Sequence, residues 1–116
     1  MAYSSFEELD VWKRSCQLAV KIYELLKDCR DFGLKDQMTR LAISVPSNIS
    51  EGCERGSNAD FIRFLHTAKG SAAELRTQVY IAERIGLLSK ESKDELVQEL
   101  KETSSMLQGL ITHNRS

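Results

Sequence analysis

The chain has 116 residues, enough for one hydrophobic core and too few for two. With 41% hydrophobic and 28% charged residues it has the composition of a globular protein, not the low-hydrophobicity, high-charge composition of a disordered one. Sixteen Lys and Arg against 17 Asp and Glu leave a net charge of −1, which excludes a global basic field for a polyanion and restricts any nucleic-acid contact to a local patch.

No apolar run approaches the roughly 20 residues needed to cross a bilayer, and Met1-Ala-Tyr-Ser-Ser-Phe-Glu-Glu8 lacks the basic-then-apolar order of a secretory signal. The expected location is the cytoplasm, with no membrane partner. Cys16, Cys29 and Cys53 are odd in number and too far apart for a CxxC clamp, so they read as reduced, mostly buried thiols.

From Leu9 the apolar positions Leu9, Trp12, Cys16, Ala19, Tyr23 and Leu26 step by three and four, and Val11, Leu18, Ile22 and Leu25 widen the stripe. This predicts an amphipathic helix over about 7–29. Ser5, with Glu8 at capping-box spacing, and Asp10, ahead of Val11, are alternative starts. Gly33 supplies the stop, through a positive φ.

A second helix is predicted over about 34–53 through Met38, Leu41, Val45 and Ile49. Pro46 falls inside it. Proline removes the bond to the Ala42 carbonyl and crowds it, at about 3 kcal/mol in a regular helix, so the expectation is a kink at Pro46 with the apolar period continuing past it.

The third helix spans about 58–85, with Ser57 as N-cap and Asp60 in an acidic first turn. Phe61, Phe64 or Leu65, Ala68, Ala72, Leu75, Val79 and Ala82 form its apolar face. The small residues Gly70-Ser-Ala-Ala73 predict that another backbone comes close there. Gly86-Leu-Leu-Ser89 reads as a C-cap, a leucine pair plugging the bundle end, and an N-cap.

The fourth helix covers about 90–112 along Leu96, Leu100, Thr103, Leu107 and Leu110, and the tail from His113 to Ser116 is expected to fray. Four helices with short connections predict one all-α domain over 1–116, an antiparallel up-down-up-down four-helix bundle.

Catalytic and metal constellations are sparse. Neither His66 nor His113 follows a Glu at Glu-x-x-His spacing, so a di-metal bundle centre is not expected. No nucleophile-bearing turn accompanies them. Glu51-Gly-Cys-Glu-Arg-Gly-Ser57 lacks the spacing and lysine of a P-loop. The sequon Asn48-Ile-Ser50 lies inside a helix with no secretory signal ahead of it and is discarded. The reading is a non-enzyme with no cofactor.

Two polar rows stand out. Arg40, Ser44, Asn48, Glu51 and Arg55 line up on the second helix, and Arg63, Thr67, Ser71, Glu74 and Gln78 on the third. If they face each other, arginine and carboxylate meet across the pair, and Asn48 and Ser71 satisfy carbonyls freed near Pro46. A solvated face, a semi-buried structural network and a ligand or partner site are the three readings left open.

Phe6-x-x-Leu9-x-Val11-Trp12, Arg40-x-x-x-Ser44-x-Pro-x-Asn48-Ile-x-Glu51-Gly52-x-x-Arg55 and Phe61-x-x-Phe64-Leu65-x-x-Ala68-x-Gly70-Ser71-x-x-Glu74 together resemble the bacterial four-helix-bundle family, also called the 23S rRNA intervening-sequence protein family. The resemblance runs from about Phe6 to Ile111. It implies an antiparallel four-helix bundle, assembly into homopentameric rings and no established enzymatic activity. A related pentamer, the accessory variability protein of diversity-generating retroelements, is basic and works with nucleic acid and a reverse transcriptase. Five copies of the present chain, at −1 each, would carry about −5.

The leading expectation is a self-assembling scaffold or adaptor of unknown partner, in which Arg40, Ser44, Asn48, Glu51, Arg55, Ser71 and Glu74 join helices or subunits. A second is nucleic-acid (RNA or DNA) binding by the ring through Arg40, Arg55, Arg63, Arg76 and Arg84. A third is a small-molecule site around Glu51 and Glu74.

Overall fold

The computed structural model describes residues 5–115. The N-terminal residues 1–4, read above for a leader, and Ser116 of the tail lie outside the described residues. A single 3-10 turn, Phe6–Glu8, precedes four helices: α1 (Asp10–Leu25), α2 (Phe32–Glu54), α3 (Asn58–Arg84) and α4 (Lys90–His113). They form a bundle 45 × 20 × 19 Å in extent. Each helix packs on its chain neighbour and α1 closes the square against α4.

The ends follow local hydrogen-bond demand. Ser5 caps the 3-10 turn, its hydroxyl accepting from the Glu7 amide at 3.1 Å. The buried Leu9 is the N-cap residue of α1, without a side-chain cap, and Asp10 sits inside the first turn, where its charge suits the helix dipole. α1 stops at Leu25, short of Cys29: Leu26 is its buried C-cap residue, and the Lys27 and Cys29 amides bond back only three residues, to Glu24 and Leu26. Gly33 is not the stop. Asp31 caps α2 by accepting from the Leu34 amide at 3.1 Å, which places Gly33 within the first turn of that helix.

Ser57 and Ser89 cap α3 and α4 through the amides of Asp60 and Ser92. After α3, Gly86 takes φ 85°, and the amides of Gly86 and Leu87 bond back to Glu83 and Ala82, a Schellman closure that satisfies the last carbonyls. Of the tail expected to fray, His113 to Arg115 are ordered onto the end of α4. Asn114 is buried, and its side-chain amide donates to the Leu110 carbonyl at 2.8 Å.

The core is one continuous cluster. α4 gives Leu96, Leu100, Thr103, Leu107 and Ile111, with Leu110 only partly covered. On α1 the two apolar stripes divide: Val11, Ser15, Leu18 and Ile22 face the core, while Trp12 and Cys16 are half-buried and Tyr23 is exposed. Ser15 is accommodated because its hydroxyl donates to the Val11 carbonyl at 2.6 Å. Phe6 packs edge-on against Trp12 at 5.2 Å, closing that end of the bundle. α2 continues through the buried Pro46.

The small-residue stretch meets its neighbours through the buried Ser71 and Ala72, not through Gly70, and a further close approach lies at Gly52. A Cβ on Gly52 would lie 2.6 Å from the Cβ of Phe64, whereas nothing stands within 4 Å of a Cβ at Gly70. Helical phase explains the difference. Gly52 continues the buried Val45 and Ile49 face, while Gly70 lies between the exposed Thr67 and Glu74.

Candidate functional site

The two polar rows meet along the seam between α2 and α3. Near the start of α2 and the end of α3 the Gln78 amide donates to the Gln37 oxygen at 2.9 Å. One to two turns on, the hydroxyls of Ser44 and Ser71 are 2.9 Å apart. At the far end Gly52 rests on Phe61 and Phe64. The α3 partners run back along their helix as the α2 residues advance.

Asn48 organises the middle of the seam. Its side-chain nitrogen donates to the carbonyl of Ser44 at 2.8 Å and to the Ser44 hydroxyl at 3.0 Å. Having accepted from Asn48, Ser44 has its own proton free for Ser71, which is 9% exposed. Asn48 and Ser71 therefore serve Ser44, and not the Ala42 carbonyl that Pro46 frees. Asn48 is one helical turn from Ser44, within reach of its carbonyl, and lies six residues from Ala42.

Arginine and carboxylate do not pair across the seam. Arg40 binds Asp36 at 2.9 Å, Arg55 binds Glu51 at 3.1 Å and Arg63 binds Asp60 at 3.2 Å, each within its own helix and exposed. A partner one turn away needs less side-chain ordering than one across a seam. Glu51 thus points outward with Arg55, and Glu74, also exposed, has no ion pair or hydrogen bond among the described residues. What Arg55 does contribute across the seam is a cation–π contact: its guanidinium carbon lies 5.1 Å from the Phe64 ring centre, and that of Arg63 4.5 Å. The Arg63 guanidinium and, less strongly, the Ser57 hydroxyl hold the Asp60 carboxyl below the usual carboxylate range.

Residues 7–109 match the family model of the 23S rRNA-intervening sequence proteins. The chain belongs to that family. It is also similar to a crystal structure of a protein of unknown function from the S23 ribosomal protein family of Bacteroides thetaiotaomicron VPI-5482. The TM-score is 0.81, at 27% identity over 87% of this chain and 97% of that one. No curated protein matches the chain.

For this family member the placement of cations bears on any contact with RNA. Arg40, Arg55 and Arg63 lie along the α2–α3 seam, each ion-paired with a carboxylate of its own helix. Arg76 lies seven residues past Lys69, which reaches Gln108, and so falls on the α4 side of α3. Arg84 is exposed at the end of the helix. The five arginines do not form one patch. Burial raises the Cys16 and Cys53 thiols above their ordinary range, which leaves both less reactive. Among the described residues no three His, Cys, Asp or Glu side chains converge as a metal set.

The reading from sequence missed the partners that matter. Asp36 four residues before Arg40 and Asp60 three before Arg63 are at helix-pairing distance, so that signal was present. Gln37 carried no such signal; only its register with Gln78 singles it out. The sequence did not single out Val20, Phe32, Ile43, Ile81 and Ile85, which face solvent, as does Tyr23, read as part of the α1 apolar face.

Proposed function

We propose that the chain is a non-enzymatic, self-assembling bundle, a scaffold or adaptor whose copies form a ring, five-membered as the family resemblance implies. One observation carries this reading: α1 and α2 both leave large apolar side chains exposed. Val20 is 57% exposed and Ile43 44%, with Tyr23 and Phe32 exposed beside them. Tyr23 shares a surface groove with Lys35 of α2, and Lys35, Thr39 and Ile43 follow one another along that side of the helix. Exposed apolar groups gathered in this way mark association surfaces.

A ring with an odd number of members needs two different surfaces per copy. Ile81 and Ile85, exposed on α3, offer a second apolar patch, and α4 exposes no large hydrophobic residue among those described. The even mixture of charges suits self-association, since no single-sign field drives copies apart.

Sedimentation velocity tests the reading. A Val20→Glu/Ile43→Glu double variant places two charges on the α1–α2 side without touching the core, so it should keep its helical circular dichroism and sediment as a monomer. An unchanged assembly size would contradict the proposed surface.

A further inference from the structure

A groove of about 220 Å³ opens between α2 and α3, lined by Gln37, Arg40, Leu41, Glu74 and Gln78. We propose that this groove binds a small zwitterion: a free α-amino acid with an apolar side chain. The charges and hydrogen-bond groups that line it are disposed for such a ligand whether or not copies assemble.

On the α2 side stands a cation that is held in place yet not used up. Arg40 spends its Nε on Asp36 at 2.9 Å, while its two terminal nitrogens have no partner among the described residues. That leaves the forked end of the guanidinium for a ligand carboxylate. The α3 side is the opposite. Glu74 brings an unpaired carboxylate, and one turn on the Gln78 oxygen is buried with no donor, its nitrogen already given to Gln37. A ligand ammonium pairs with the exposed Glu74 carboxylate.

Between these edges the half-buried Leu41 supplies an apolar wall for a short side chain. The volume is below the roughly 300 Å³ at which pockets for drug-sized ligands begin, which suits a metabolite of amino-acid size. Gly70, one turn before Glu74, places no side chain near the mouth. Because the groove is open to solvent, the expected affinity is modest, with Kd on the order of 0.1–1 mM.

Titration calorimetry with three probes tests this on the full chain. L-leucine carries both charges, N-acetyl-L-leucine lacks the ammonium, and L-leucinamide lacks the carboxylate. L-leucine should bind, and each blocked probe should bind about tenfold or more weakly, as expected for a lost charge-assisted contact. Arg40→Gln and Glu74→Gln should each weaken L-leucine by a similar factor. Circular dichroism melts of both variants verify folding, and light scattering of the same samples separates loss of the site from loss of assembly. No heat with L-leucine, equal binding of a blocked probe, or undiminished binding by either folded variant overturns the proposal.

Discussion

Gly52 and Phe64 are in such close contact that a single methyl group on Gly52 would come within 2.6 Å of the Phe64 Cβ. α2 and α3 approach closely here, and the obstacle is the base of a side chain fixed to its helix, which cannot swing aside. Gly52→Ala should therefore destabilise the fold by about 1–3 kcal/mol, the usual range for overpacking. Gly70→Ala meets open space in mid-helix and should stabilise by about 0.5–1 kcal/mol. Urea denaturation of the two variants checks both signs at once; a Gly52→Ala chain as stable as the parent would refute the close approach.

Asn48→Ala removes both donations to Ser44 and leaves a half-buried carbonyl and hydroxyl less well satisfied. The expected loss is about 1 kcal/mol, or roughly 4 °C in Tm for a chain of this size. Thermal melting followed by circular dichroism measures it. An unchanged Tm would show that Asn48 has no part in holding the seam.

Asp60 gives a pH-dependent signature. Its carboxyl is depressed in the folded state, first by the Arg63 hydrogen bond and then by Ser57. Its contribution to stability is therefore fully present above the unfolded value of about 3.9 and is lost as pH falls through the lower folded value. Carboxyl titration by NMR should place Asp60 below that ordinary value. Arg63→Gln should bring it back up, and Ser57→Ala should do so by less. Asp60 titrating at the ordinary value in the parent chain would contradict the assigned contacts.

Much of the fold can be read directly from residue spacing. Ser57 and Ser89 announce their helices, Gly86 ends one, and Leu96, Leu100, Thr103 and Leu107 trace a single buried face. α1 was ambiguous for a physical reason: its apolar residues cover two stripes, and only packing against α2 and α4 decides which one turns inward. Gly33 reads as the end of α1, but the Asp31 capping bond to the Leu34 amide takes it into α2 instead. The seam was half legible. Its polar rows follow from helical period, but the choice of Asp36 over Glu74 for Arg40 depends on side-chain reach, which spacing alone does not rank.

In the proposed assembly, coverage of the exposed Val20, Tyr23 and Ile43 by other copies accounts for α1 carrying more apolar surface than its own core takes up. Size-exclusion chromatography with multi-angle light scattering at micromolar concentration measures it most directly. The account predicts one species of about five times the 13.1 kDa chain mass. A single peak at the mass of one chain would contradict it.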